Sequence, residues 1–160
     1  MVATFGVWID GPRRWHPSRM HSVTGHRSPV ISQRSEATHH PLRGSFFENM
    51  VVCELLKTRF NNGRDNRLMF FRDRTGHEVD VLYPVGPQLL PVEVKAGRTL
   101  QGEWFQGFAM VSGLSADFIQ RGIVVFGGSE IQRRTLGIAG GIWQLAKMLD
   151  ELATTPPVGG

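Results

Sequence analysis

Two acidic side chains and one ammonium group fall on the same side of a predicted β-hairpin. Residues 77–83 carry Asp80, and residues 88–95 carry Glu93 and Lys95. In both segments β-branched and aliphatic residues alternate with polar ones, and the intervening Pro-Val-Gly-Pro sequence is typical of a turn. Folding the hairpin at its glycine sets Asp80 opposite Glu93. Lys95 shares their face, because alternate residues of a strand point to the same side.

The chemistry open to such a cluster is metal-assisted hydrolysis of a phosphodiester. Two carboxylates can hold a divalent cation such as Mg²⁺ or Mn²⁺, and a lysine beside them can orient or activate a water molecule. The opposite face of the hairpin is predicted to face the core and collects Val79, Val81, Tyr83, Leu90, Val92 and Val94. A structural alternative remains open, in which the polar face carries an ordinary cross-strand ion pair on a surface hairpin.

A third acid, Glu48, lies on a predicted helix over residues 45–60 that ends before an Asn-Asn-Gly sequence. Glu48 falls in the middle of the apolar stripe of this helix, whereas Glu54 and Lys57 lie on the opposite side. A carboxylate on a core-facing stripe is costly unless something pairs with it, so Glu48 is a candidate third metal ligand. The alternative is a capping box, in which Ser45 starts the helix and Glu48 reaches back to its first amide. The stripe has the i, i+3, i+4 spacing and comprises Phe47, Val51, Val52, Leu55 and Leu56.

The series of motifs along residues 39–150 resembles a known family. The motifs are, in order, His40-Pro41-Leu42-Arg43-Gly44, Phe47-Glu48-Asn49, Glu54-Leu55-Leu56-Lys57, Phe71-Arg72-Asp73, Gly76-His77-Glu78-Val79-Asp80 and Pro91-Val92-Glu93-Val94-Lys95. This series is similar to the C-terminal domain of predicted prokaryotic AAA+-type ATPases, catalogued as domain-of-unknown-function family 4143. That domain is in turn similar in pattern to the PD-(D/E)XK nuclease superfamily.

The resemblance implies an α/β fold of the restriction-endonuclease-like type. Its α-β-β-β-α-β core would have a central mixed sheet flanked by helices. Asp80, Glu93 and Lys95 would occupy the nuclease-like positions, and Glu48 would be the supporting acid on the first helix. The family has no settled function, so the resemblance does not by itself imply nuclease activity.

The remaining hydrophobic patterns supply elements for this order. Residues 67–73 and 121–126 are predicted strands, and residues 133–138 are predicted to add an edge strand. Residues 100–111 and 143–152 are predicted helices. The buried side of the first of these two helices is predicted to hold Trp104, Phe105, Phe108 and Val111.

Three further residues bear on the site. Gln101 and Gln106 could play the helix-borne polar residue that some nucleases of this superfamily use, but an amphipathic helix also exposes amides to solvent, and we interpret both in that way. The single cysteine, Cys53, lies among apolar residues and is predicted to be a small buried hydrophobe. One cysteine can form neither an internal disulfide nor a thiolate cluster.

The net charge of +4 is confined to the beginning of the chain. Residues 1–43 hold six arginines and two acidic residues, whereas the remainder holds 12 basic and 12 acidic residues. Global charge therefore gives no support for nucleic-acid binding by the domain. A local patch could still bind nucleic acid, and the candidates are Arg64, Arg67, Arg72, Arg74 and Arg98.

Three segments are predicted along the chain. Residues 1–38 are rich in Arg, His, Ser, Pro and Gly, and we expect a disordered or degenerate leader rather than a metal-binding arm. Residues 39–153 form the predicted nuclease-like domain, and residues 154–160 a flexible tail. No signal peptide and no membrane-spanning stretch is evident, which favours the cytoplasm.

Two functions from different classes follow. The first is a nuclease-like enzyme in which Asp80, Glu93 and Glu48 hold Mg²⁺ and Lys95 positions the hydrolytic water. The second is a catalytically inert module that recognises DNA or a protein partner. The chain has no Gly-x-x-x-x-Gly-Lys-Ser/Thr phosphate loop. It therefore resembles a truncated or diverged member of the family, and an ATPase partner would come from another chain. The oligomeric state is not predicted.

Overall fold

The structure is a computed structural model that describes residues 3–7 and 43–154. Three α-helices lie in the second range: α1 (Arg43–Asn61), α2 (Gln106–Ser112) and α3 (Leu145–Thr154). Single 3₁₀ turns precede the latter two helices, at Gly102–Phe105 and Ile142–Gln144. The strands are β1 (Ala3–Val7), β2 (Met69–Asp73), β3 (Glu78–Val85), β4 (Gln88–Lys95), β5 (Gly122–Phe126), β6 (Gln132–Arg134) and β7 (Gly137–Gly140).

The strands from β2 to β7 form one mixed sheet in the order β2-β3-β4-β5-β7-β6. β2, β3 and β4 form an antiparallel meander, after which α2 carries the chain across to β5, parallel to β4. The predicted α/β class, with a mixed sheet flanked by helices, is confirmed. The elements α1, β2, β3, β4, α2 and β5 follow one another in the predicted order.

The segment Ala3–Val7 pairs antiparallel with β2 at the edge of this sheet. It belongs to the leader, for which the sequence analysis predicts disorder and no secondary structure. Residues 8–42 lie outside the described residues, so the disorder predicted there stays a prediction. The predicted tail, residues 154–160, also lies outside them except for the last residue of α3.

Helices cover both faces of the sheet. On one, which we call the α1 face, α1 and α3 pack on Val81, Leu90, Val92, Ile123 and Val125. On the other, the α2 face, α2 and its preceding turn pack on two further clusters. These clusters contain Phe71, Val79, Leu82, Val124 and Phe126. The hairpin of β3 and β4 is therefore apolar on both sides over much of its length.

This arrangement corrects the predicted core face of the hairpin at Val79. Met69 pairs with Leu82, but Phe71 pairs with Val79, so β3 holds one more residue than β2 in this interval. Such a bulge shifts the side-chain alternation by one. Val79 consequently packs with Phe71 and Leu82 on the α2 face, whereas Val81 faces α1.

Three other predictions need correction. The predicted edge strand at residues 133–138 is a β6–β7 hairpin, and β7 lies inside the sheet between β5 and β6. The predicted helix at residues 100–111 begins as a 3₁₀ turn, and its Trp104 is half-buried rather than buried. Cys53 is exposed, because the buried stripe of α1 passes through Val51 and Leu55 on the other side of the helix.

The end of α1 is attached to the β3–β4 hairpin by a buried arginine. Arg59 is 3% exposed, and its Nη1 donates a hydrogen bond to the Pro84 carbonyl oxygen at 3.2 Å. Its Nη2 contacts the Asp65 carboxylate at 2.7 Å, and its guanidinium carbon lies 5.4 Å from the centre of the Tyr83 ring. A buried guanidinium that is paired in this way holds two elements in one orientation.

We predict that Arg59→Met lowers the free energy of unfolding by about 2 kcal/mol, because charge-assisted hydrogen bonds are lost while most of the apolar stem remains. Lys57→Met is the matched control, since Lys57 lies on the exposed side of α1 in an ion pair with Glu54 and such pairs contribute little. Urea denaturation of both variants measures the difference. Equal midpoints for the two variants would contradict the structural role of Arg59.

The turn between β2 and β3 is organised by a buried carboxylate. Asp73 accepts hydrogen bonds from the main-chain amides of Thr75 and His77, both at 2.9 Å. Thr75 Oγ1 donates to Asp73 Oδ2 at 2.7 Å, and His77 Nδ1 lies 2.9 Å from the same oxygen. Burial by itself would raise the pKa of Asp73, but the hydrogen bonds from His77 and Thr75 outweigh it and hold the pKa well below its ordinary value of 3.8.

A carboxyl whose pKa is depressed on folding contributes stability above its unfolded pKa, and this contribution is lost as the pH falls towards the folded pKa. We therefore predict that Asp73→Asn is less stable than the native chain at neutral pH. The difference should shrink as the pH falls below 3.8, the ordinary value for aspartate. Thermal melts of both proteins across this range test the prediction. A constant difference at every pH would show that the charge of Asp73 is not involved.

Candidate active site

Asp80 lies where β3 and β4 separate. The antiparallel ladder runs from Val85 opposite Gln88 to Val81 opposite Val92 and ends there. Beyond it, Oδ2 of Asp80 accepts a hydrogen bond from the main-chain amide of Val94 at 2.8 Å. A side chain thus takes the place of a main-chain acceptor, which satisfies the β4 amide without the next rung of the ladder.

Glu93 and Lys95 project from β4 onto the α2 face. Their register partners on the parallel neighbour β5 are Val124 and Phe126, and both of these residues pack against α2 and its preceding turn. Glu93 is only 8% exposed, and its Oε1 lies 2.5 Å from Nζ of Lys95. Glu93 and Lys95 therefore share one face of the sheet, as expected for residues two positions apart on a strand.

Burial and a neighbouring charge both act on the Glu93 carboxyl group. Burial, followed by the negative charge of Asp80, raises the pKa of Glu93 to about 7, although the hydrogen bond from Lys95 acts in the opposite direction. Burial alone would lower the pKa of Lys95, but Glu93, Asp80 and Glu78 outweigh it and raise that pKa above its ordinary value. Lys95 is therefore an ammonium group at neutral pH, and Glu93 is poised between its two protonation states.

A pocket of about 450 Å³ opens in front of this pair on the α2 face. Besides Glu93 and Lys95, its lining residues come from the start of β3, from the 3₁₀ turn and from the first residues of α2. They are Glu78, Glu103, Trp104, Gln106 and Gly107. The site thus combines a half-enclosed space with three acidic residues and one ammonium group.

The match to protein families agrees with the motifs. The family model described as domain of unknown function (DUF4143) matches residues 43–145. The chain belongs to this family. Searches of the curated proteins and of the solved structures found no match. In the described part of this DUF4143 domain, no helix is long and apolar enough to cross a membrane.

The candidate residues of the DUF4143 domain do not all lie on one side of the sheet. Glu93 and Lys95 share the α2 face, and Asp80 lies near them, bonded to the Val94 amide, although it is not among the residues that line the pocket. Glu48 lies on α1, whose buried residues pack on the other face, and it is not among the residues that line the pocket. Its Oε1 atom is nevertheless buried. Because α1 begins at Arg43, Ser45 is inside the helix rather than at its start, where the capping-box alternative for Glu48 requires it to be.

Sequence reasoning missed two residues of this pocket. Gln106, which the sequence analysis interprets as an exposed amide, is exposed as expected and also lines the pocket at the start of α2. Glu103 precedes it on the 3₁₀ turn, and no hydrophobic pattern distinguishes it from an ordinary surface acid. Glu78 had a usable signal, because it lies two residues before Asp80 on the same predicted strand. In the structure it is paired with Arg72 of β2, through Nε at 3.1 Å.

The described residues contain no group of three or more His, Cys, Asp and Glu side chains arranged to hold a metal ion. Two carboxylates, Asp80 and Glu93, lie close enough together for the negative charge of Asp80 to raise the pKa of Glu93. Mg²⁺ is commonly held by one or two carboxylates, with water and substrate phosphate completing its coordination. Asp80 and Glu93 supply the type of ligand that such a cation takes from a protein.

We predict opposite changes of the Glu93 pKa in two variants of the DUF4143 domain. Asp80→Asn removes a neighbouring negative charge while the amide oxygen can still accept the Val94 hydrogen bond, so the pKa of Glu93 should fall below 7. Lys95→Met removes the neighbouring positive charge, so the same pKa should rise. A carboxyl-carbon NMR titration measures both. If the pKa moves in the same direction in both variants, the described geometry is wrong.

Proposed function

We propose that this domain hydrolyses phosphodiesters of nucleic acids with the help of Mg²⁺ or Mn²⁺, on a restriction-endonuclease-like core of the PD-(D/E)XK type. The observation that carries the proposal is the buried carboxylate of Glu93, which lines a pocket together with Lys95 and lies close enough to Asp80 for that charge to raise its pKa. A buried acid beside a second acid is costly for the fold. Such a cost is typical of a site where a cation is to be bound.

Asp80 and Glu93 would hold the cation from the ends of two neighbouring strands. When bound, it would lower the pKa of a coordinated water and offset negative charge on the phosphate. Neither Asp80 nor Glu48 is among the residues that line the pocket, but the charge of Asp80 reaches Glu93, whereas Glu48 lies on α1, whose buried residues pack on the other face of the sheet. We therefore propose it only as a supporting residue that acts through its neighbours.

Lys95 has a defined part in this mechanism. Because its pKa is raised, it keeps its proton at neutral pH and cannot accept one from water. It would instead donate hydrogen bonds that orient the water or steady the phosphate oxygens as the P–O bond breaks. Gln106, at the rim of the pocket, can donate and accept hydrogen bonds to the same group.

We also propose an ATPase chain as a partner, and the cytoplasm as the compartment in which the domain acts, because the sequence shows no signal peptide and no membrane-spanning stretch. The resemblance to domains that follow an ATPase module supports the first of these. Cleavage would then be coupled to the partner, so assays are best made with the domain alone and with a candidate ATPase of the same cell.

We predict that cleavage of nucleic acid requires Mg²⁺ or Mn²⁺ and is lost in Asp80→Asn and Glu93→Gln. Both changes remove charge at nearly constant shape, so the loss would report electrostatics rather than packing. Lys95→Ala should slow cleavage by about 10²- to 10³-fold, which is typical for the loss of one hydrogen-bond donor to developing negative charge. Glu48→Gln should have a smaller effect. A gel assay on labelled DNA and RNA follows all four variants.

Glu54→Gln is the control for these variants, because Glu54 is exposed on α1 and paired only with Lys57 within the described residues. Ca²⁺ supplies a second control, since this larger ion tolerates looser coordination and should bind without supporting turnover. If the native chain cleaves no nucleic acid with any divalent ion, alone or with an ATPase, the inert recognition module is the better description.

A further inference from the structure

A second groove, of about 610 Å³, opens beside the candidate active site. It lies at the carboxyl ends of β4, β5 and β7, which are parallel to one another. In open α/β sheets, ligands bind preferentially outside the carboxyl ends of parallel strands. The residues that define the groove come from the loops after these strands and from β6, and they are Arg98, Phe126, Ser129, Glu130, Gln132 and Trp143.

The two openings are neighbours. Lys95, which lines the first, is the register partner of Phe126, which lines the second. The ring of Trp104, on the wall of the first, lies 6.4 Å from the ring of Phe126. Adjacent strands are about 4.8 Å apart. A ligand that extends beyond the first pocket by roughly one nucleotide therefore reaches the second groove.

Trp143 is the most exposed large hydrophobic side chain of the described residues, with 88% of its surface in solvent. It projects from the 3₁₀ turn Ile142–Gln144, which follows β7 directly. An indole ring that contributes so little to the core is available to stack on a planar ligand. Stacking on aromatic rings is the main sequence-independent contact that proteins make with unpaired bases.

Arg98 adds a positive charge on the opposite side of the groove. Among the other candidates for a basic patch, Arg67 is paired with Asp65 and Arg72 with Glu78. Within the described part of the chain, Arg98 takes part in no ion pair, and its side chain is exposed. Glu130 also lines the groove, so a phosphate would be favoured on the Arg98 side and a base on the side of Ser129 and Gln132.

We propose that this groove binds an unpaired nucleotide next to the phosphate held by Lys95, with its base stacked on Trp143 and its phosphate on Arg98. The inference rests on the proposed function and names its substrate as single-stranded nucleic acid. In a duplex both faces of an internal base are covered by its neighbours, so the indole ring can stack only where the strand is unpaired.

The test measures binding of a fluorescein-labelled oligothymidine to the full chain by anisotropy, in EDTA, where metal-dependent cleavage does not occur. Trp143→Ala should weaken binding by about tenfold, the effect of losing one base-stacking contact. Trp143→Phe should restore most of the affinity, because the π-face is kept. Arg98→Ala should weaken binding and reduce the slope of log Kd against log salt concentration by about 0.7.

Two controls make the result specific. Phe60→Ala removes an aromatic ring that is 56% exposed on α1, far from the groove, and should leave the affinity unchanged. A blunt duplex of the same length should bind Trp143→Ala and the native chain equally. Equal oligothymidine affinities for Trp143→Ala and the native chain would overturn the proposal, and so would an absence of oligothymidine binding by the native chain.

Failure of this proposal and failure of the proposed function give different results. If the native chain cleaves nucleic acid through Asp80 and Glu93 but Trp143→Ala binds normally, the hydrolase stands and the groove does not. If Trp143→Ala loses binding although no metal supports cleavage, the groove stands and the hydrolase does not.

Discussion

The hydrogen bond between the Asp80 carboxylate and the Val94 amide is the constraint on which the site depends. β4 has to pair antiparallel with β3 at one end and parallel with β5 at the other. Without an acceptor at Asp80, the amide of Val94 would lose its partner at the point where β3 turns away. The same bond fixes one carboxylate beside the stretch of β4 that carries Glu93 and Lys95. The hydrogen bond that follows the end of the β3–β4 ladder therefore also positions Asp80 near Glu93 and Lys95.

The packing on the α2 face determines the electrostatics. Val124 and Phe126 lie beside Glu93 and Lys95 on β5, and the turn before α2 covers them with Phe105. This cover removes water from Glu93 and leaves Lys95 as its direct counter-ion. An acid held in this way contributes little to stability, because the cost of desolvation offsets much of the attraction to the ammonium group.

The core of the hairpin could be predicted from sequence because its signals are local. Alternation and the turn glycine, whose φ is 58°, fix the register that sets Glu93 near Asp80. The bulge that moves Val79 to the α2 face leaves no mark in that alternation, since Val79 is apolar on either face. Glu103 is not predicted for a related reason: the 3₁₀ turn that places it beside the pocket lies within a segment whose hydrophobic pattern predicts an ordinary helix.

The position of β7 shows more clearly which features of the fold a single sequence does not reveal. The segment Gly137–Gly140 is too short and too poor in β-branched residues to be recognised as an interior strand, yet it lies between β5 and β6. Its place depends on close main-chain approach to Gly122, where any side chain at Gly137 would collide with a carbonyl group. Contacts of this kind join residues that are distant in sequence, and a single sequence does not reveal them. The helix predicted at residues 143–152 includes Trp143, whereas the structure places this residue on the 3₁₀ turn Ile142–Gln144 before α3.

The most direct test of the central claim is the binding of Mg²⁺ or Mn²⁺ to the native chain, followed as a thermal shift at pH 8. If Asp80 and Glu93 hold the cation, the unfolding free energy should rise with metal concentration, by about 2.7 kcal/mol at a hundredfold excess over Kd. Glu93→Gln should abolish the rise, and Glu54→Gln should not. Equal shifts in the native chain and in Glu93→Gln, or no shift in either, would contradict a cation site at this pair of carboxylates.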